Sequence, residues 1–131
     1  MTSRILIAAA VALSLAGVAQ AADQDNRTNS TRNCFRSRDW DSWRGLDPST
    51  IILRVRGQQF WRIDLSSPSN MVTDQFNHLV NRVRGSNWIC RPIDLDLRIS
   101  SGRGVSQPLF VKALTRMTPE EVAALPRHAR P

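Results

Sequence analysis

Residues 51–65, Ile-Ile-Leu-Arg-Val-Arg-Gly-Gln-Gln-Phe-Trp-Arg-Ile-Asp-Leu, form two runs of alternating apolar and polar side chains around Gly57-Gln58-Gln59. Alternation at every second residue puts one set of side chains on each face of a strand, so a pairing register is judged by the faces it mixes. A two-residue loop opposes Val55 with Phe60 and Leu53 with Arg62, which mixes them. A three-residue loop opposes Ile51 with Leu65, Leu53 with Ile63 and Val55 with Trp61, gathering the strong apolar side chains on one face and setting Arg54 against Arg62 on the other. The stretch therefore predicts an antiparallel hairpin with an odd-length loop.

Downstream, Ser66 to Asn70 is a loop by composition, with Pro68 unable to join an internal strand. Val72, Phe76, Leu79, Val80 and Val83 then recur at helical spacing and predict a short helix over 71–79. Beyond it, Val80 to Val83 suits a strand equally well. Trp88-Ile89-Cys90 resumes strand character, and Ile93, Leu95, Leu97 and Ile99 alternate with polar residues as in a half-buried strand. Ser101 to Gly104 turns the chain, and Leu109 to Leu114 predicts a last strand with Pro108 at its entry. Thr118-Pro119-Glu120-Glu121 has the form of a capping box with proline at the first helical position, which predicts a helix over 118–125 ended by Pro126. Residues 126–131 are expected to be a disordered tail.

Upstream of the hairpin, Trp40 and Trp43 stand three apart, so one helical or 3₁₀ turn would set both indoles on one side, most simply against a sheet. Residues 22–33 hold no large apolar side chain and are expected to be a disordered leader. Ahead of them, Arg4 precedes an apolar run from Ile5 to Val18, followed by Ala19-Gln20-Ala21. These are the regions of a secretory signal peptide, residues 1–21, cleaved before Ala22. An uncleaved membrane anchor would need a longer apolar stretch, and no later segment approaches the ~20 apolar residues of a membrane span. The expected fold is thus a single α+β domain over 34–125, mainly antiparallel with short helices, in a periplasmic or secreted protein.

Export bears on the two cysteines. In an oxidising compartment, Cys34 and Cys90 read first as a disulfide, and closing so long a loop contributes ~4 kcal/mol in the chain-entropy account. The alternative is two buried free thiols. Zinc ligation is disfavoured because no further ligand lies at suitable spacing.

Cys34-Phe35, the hairpin at Ile51 to Leu65, and Trp88-Ile89-Cys90 ahead of Ile93 together resemble a family of small exported bacterial proteins of uncharacterised function, over roughly residues 33–117. Members of that family often carry two further cysteines, after the second hairpin strand and near the last strand. Neither Ser66 to Met71 nor Val105 to Phe110 contains one. The resemblance thus implies that Cys34 and Cys90 are left as mates. It implies no activity, cofactor or catalytic residue.

Candidate chemistry is sparse. His128 falls in the expected tail, which leaves His78, with Asp74 one helical turn before it if 71–79 is helical. Such pairs are common on solvated helix faces and no nucleophile stands at a fixed spacing, so a small hydrolase using Asp74 and His78 is the lesser reading. Asp94 and Asp96 would share one face of a strand, where solvation is a plainer role than cation binding. The glycines fit no phosphate-binding loop, and no cofactor or metal is expected.

The distributed signal is charge: 18 basic residues against 11 acidic, net +7, with Lys112 the sole lysine. Arg54, Arg56 and Arg62 would form an outward hairpin patch beside an exposed Phe60, joined by Arg82 and Arg84 if that segment pairs nearby. Guanidinium groups grip phosphate and carboxylate forks. Against this, the arginines are spread along the whole chain. Export disfavours nucleic acid as the partner. The expectation is a non-enzymatic structural or binding protein, with Arg54, Arg56, Arg62, Phe60, Trp40 and Trp43 as contact surface and an anionic envelope component or another envelope protein as partner.

Overall fold

A computed structural model describes residues 33–131. The expected signal peptide, and the expected leader up to residue 32, lie outside them. Among the described residues the chain forms, in order, β1 (Phe35–Arg36), β2 (Trp40–Asp47), β3 (Thr50–Val55), β4 (Gln59–Leu65), β5 (His78–Asn81), β6 (Trp88–Ile89), β7 (Leu97–Ser100), β8 (Ser106–Leu109), β9 (Val111–Arg116) and one α-helix, α1 (Pro119–Ala123). All strand pairings are antiparallel: β2-β3-β4-β9 make one sheet, β5-β7-β8 a second, and β1-β6 a short third.

The hairpin is β3–β4, and its loop has three residues, but the register lies two residues from the expected one. Ile51 opposes Ile63, Leu53 opposes Trp61 and Val55 opposes Gln59. A shift of two preserves parity, so Ile51, Leu53, Val55, Trp61, Ile63 and Leu65 still share the buried face. Arg54 consequently meets Phe60 rather than Arg62. Alternation cannot distinguish registers two apart. Here the loop is gripped from outside the hairpin: Arg56 N–H donates to the Asp39 carbonyl (3.0 Å) and Gly57 N–H to the Asp41 carboxylate. Arg56 and Gly57 are both left-handed (φ 51° and 71°), which suits glycine at the second position.

Trp40 and Trp43 lie on a strand, not on a helical turn. A bulge between Trp40 and Ser42 adds the residue that puts both on one side, Trp40 opposite Val55 and Trp43 opposite Leu53, packed against the core. The helix expected over 71–79 is replaced by a 3₁₀ turn, Asn70–Thr73, followed by β5. Asp74 and Asn77 divert the backbone, Asp74 accepting from Phe76 N–H and Asn77 donating to the Met71 carbonyl. Val72 of the first turn is buried in the core with Met71 packed against it, and Gly45 opposite leaves no room for a Cβ beneath the Val72 carbonyl.

The expected strand from Ile93 starts later. Pro92–Asp94 is a 3₁₀ turn closed by Asp94, which accepts from Cys90 and Arg91 N–H, and Ile93 is 80% exposed. The expected last strand is two, β8 and β9, parted at Phe110. β8 pairs with β7 and β9 with β4, so this segment carries the chain from one sheet to the other. Pro108 is tolerated inside β8 because that strand is an edge. Between the sheets one core gathers Leu53, Trp61 and Ile63 with Leu97, Ile99 and Leu109.

The capping box forms, with Glu121 N–H donating to Thr118 Oγ1 and Thr118 N–H to Glu121. Residues 126–131 are not a disordered tail. Arg127–Ala129 is a 3₁₀ turn that packs on β2, Ala129 is fully buried, and Arg130 donates to the carbonyls of Ala123 and Leu125 at the helix end. Arg54, beside them, donates to the Pro131 carbonyl. Through that bond the segment reaches the second face of the hairpin, the face on which Ile52 is fully buried.

Candidate functional site: a basic mouth beside the disulfide

Cys34 and Cys90 are joined, 56 residues apart in sequence. The bridge lies next to the β1–β6 ladder, in which Phe35 opposes Ile89 and Arg36 opposes Trp88. Phe35 and Ile89 point into the core, and the Phe35 ring lies 5.0 Å from that of Trp61. Arg36 and Trp88 share the other side, with the guanidinium carbon 4.8 Å from the ring centroid, within cation–π range.

Nearby the inner face of the main sheet ends in polar residues: Gln59 opposite Val55, and Arg116 opposite Trp61. Arg56, at the hairpin loop, is held by Asp39, with Nη2 2.8 Å and Nε 2.9 Å from Oδ2. Arg36, Arg56 and Arg116 thus converge with Trp88, Gln59 and Asp39 on one cavity of about 260 Å³. Among the described lining residues, Asp39 is the acidic one, and Arg56 is its partner there. The arrangement suits an oxyanion: planar N–H forks for phosphate or carboxylate, an amide, and an aromatic wall 45% exposed.

Of the residues expected to form the contact surface, only Arg56 belongs to this mouth. Arg54 is half-buried under the C-terminal segment, with Phe60 opposite it, and Arg62 pairs with Asp64 at 2.9 Å. Trp40 and Trp43 lie by a separate cavity between the edges β2 and β5, with Leu79 and Val80. Arg54, a half-buried Phe60 and Arg62 do share the outer face of the hairpin, but Arg56 stands at its loop and Trp40 and Trp43 lie on the inner face, so the six do not form one patch. Arg84 pairs with Asp96, away from the hairpin. His78 is on a strand opposite Ser100, while the Asp74 carboxylate accepts from Phe76, so the helical pairing of Asp74 with His78 does not exist. Asp94 and Asp96 do not share a strand face either. Among the described residues no three His, Cys, Asp or Glu side chains are gathered as for a metal, and no helix is long and apolar enough to cross a membrane.

Arg36, Trp88 and Arg116 escaped the sequence reading. A signal for the first two was present: once Cys34 and Cys90 are mates on antiparallel strands, the residues two after one and two before the other must face each other.

The fold and site define a small, mainly antiparallel β domain closed by one disulfide, with a basic mouth at the bridged end. The chain belongs to a family of unknown function, DUF6491, which matches it over residues 1–131. No curated protein and no solved structure matches it.

Proposed function

We propose that this is an exported, non-enzymatic binding protein that holds a phosphate or carboxylate group of an anionic envelope polymer in the basic mouth. The observation that carries this reading is the convergence of Arg36, Arg56 and Arg116 on one cavity whose described lining includes one acidic residue, Asp39. Export is supported by the signal-peptide pattern of residues 1–21 and by a disulfide of the kind that persists in oxidising compartments, periplasmic or extracellular. The cavity is the size of one charged residue rather than of a protein face, which favours a repeating polymer over an acidic protein. A polymer lets one small site engage many times, and electrostatic attraction raises its local concentration.

Calorimetry of the oxidised mature protein against a glycerol-phosphate oligomer and a uronate oligomer tests the reading and separates the two anion sources. Binding of either, weakened about tenfold by Arg56→Gln and little changed by Arg62→Gln, is the expected result, since one charge-assisted hydrogen bond is worth about 1.5–3 kcal/mol. If neither oligomer binds, the reading is wrong and an acidic protein becomes the better candidate.

A further inference from the structure

The turn that replaced the expected helix holds an aromatic ring out of the protein. Its backbone is fixed at several points: Ser69 N–H donates to the Pro48 carbonyl, Val72 is buried beneath β2, and Asn77, itself buried, donates to the Met71 carbonyl. Phe76 N–H donates to Asp74 at 3.0 Å, and Asn77 N–H to the Asp74 carbonyl. On this fixed turn the Phe76 side chain is 77% exposed. A hollow lies on each side of it. One, of about 400 Å³, is floored by Trp43 and Val72 and edged by Arg44 and His128. The other, of about 670 Å³, is lined by Met71 and Val105 and edged by Arg103. Asp74, the carboxylate common to both, is bonded to the Phe76 backbone.

We infer that Phe76 is the central contact of a docking surface for a second protein, one with an apolar cleft and an acidic border. A pre-ordered aromatic loses little freedom on burial, and the flanking hollows give a partner's side chains places to enter. The edges carry Arg44 and Arg103 against the one carboxylate of Asp74, an excess of positive charge among the described lining residues, so the complementary surface is acidic. A second copy is a poor occupant, because it would set Arg44 and Arg103 against the same cationic edges. A lipid surface would take up the ring and leave the hollows unfilled. This surface is independent of the basic mouth.

The test places a photo-reactive benzophenone side chain at position 76 of the full chain in the cells that make it. The expected product is an adduct with an acidic envelope protein. That protein, purified, binds the unmodified mature chain, at least about tenfold more weakly after Phe76→Ser and about threefold more weakly after Arg103→Gln, and unchanged after Arg56→Gln. Phe76→Ser should leave the melting temperature in place because the ring is exposed; Val105→Ser, also exposed, is the second variant and should weaken binding in the same direction. Adducts only between copies, adducts only with lipid, no adduct, or undiminished binding by both serine variants would each overturn the inference.

Discussion

Arg36 and Trp88 face each other across a ladder only two residues long, beside the Cys34–Cys90 bridge. Two strands of two residues do not hold together on their own. The pairing depends on the disulfide on one side and on the burial of Phe35 and Ile89 on the other. The wall of the basic mouth is thereby tied to the redox state of one bond, and Cys90 is exposed.

Reduction by a dithiol, or Cys34→Ser with Cys90→Ser, should therefore weaken oxyanion binding more than it disturbs the main sheet. Stability should fall by up to ~4 kcal/mol through the freed loop. Urea unfolding alongside the binding titration checks both. Full affinity in the reduced, folded protein would count against the link.

Gly45→Ala is expected to be strongly destabilising, by roughly 1–3 kcal/mol, because the added methyl meets the backbone carbonyl of Val72 rather than a movable side chain. Denaturant midpoints give the measurement. Gly102→Ala, where a Cβ meets nothing, is the control and should change little.

Deleting residues 126–131 should uncover Ile52, which is fully buried, and leave Arg54 without the Pro131 carbonyl. Exposing one such side chain costs about 1.5–3 kcal/mol. The truncated protein should melt lower than the full chain, whereas a free-hanging tail would leave the melting temperature unmoved.

Thr118→Ala removes the side-chain acceptor of the capping box and should cost ~1 kcal/mol, read as a small fall in thermal stability. Thr118→Ser should restore most of it.

The face pattern of the hairpin was legible in residues 51–65 because alternation is a local property; the register was not, because Asp39 and Asp41 set it from outside that stretch. Likewise the capping box is complete within four residues and formed as read. The stripe from Val72 to Val83 misled because only side-chain bonds at Asp74 and Asn77 distinguish a helix face from a turn leading into an edge strand. Ala129 was invisible as a core residue because a single small side chain carries no pattern; it is buried in a turn that packs on β2. The mouth is assembled from β1, the hairpin loop, β6 and β9, four places no local window joins. Arg36 and Trp88 could have been placed from the cysteine pairing, and Arg116 only from the β4–β9 register.

Oxyanion binding in the basic mouth can be read on the NMR signal of the Trp88 indole N–H in the oxidised protein during titration with inorganic phosphate. A saturable shift is expected, lost in Arg36→Gln and strongly reduced in Arg56→Gln and Arg116→Gln. A signal that does not move, or moves equally in all three variants, would contradict it.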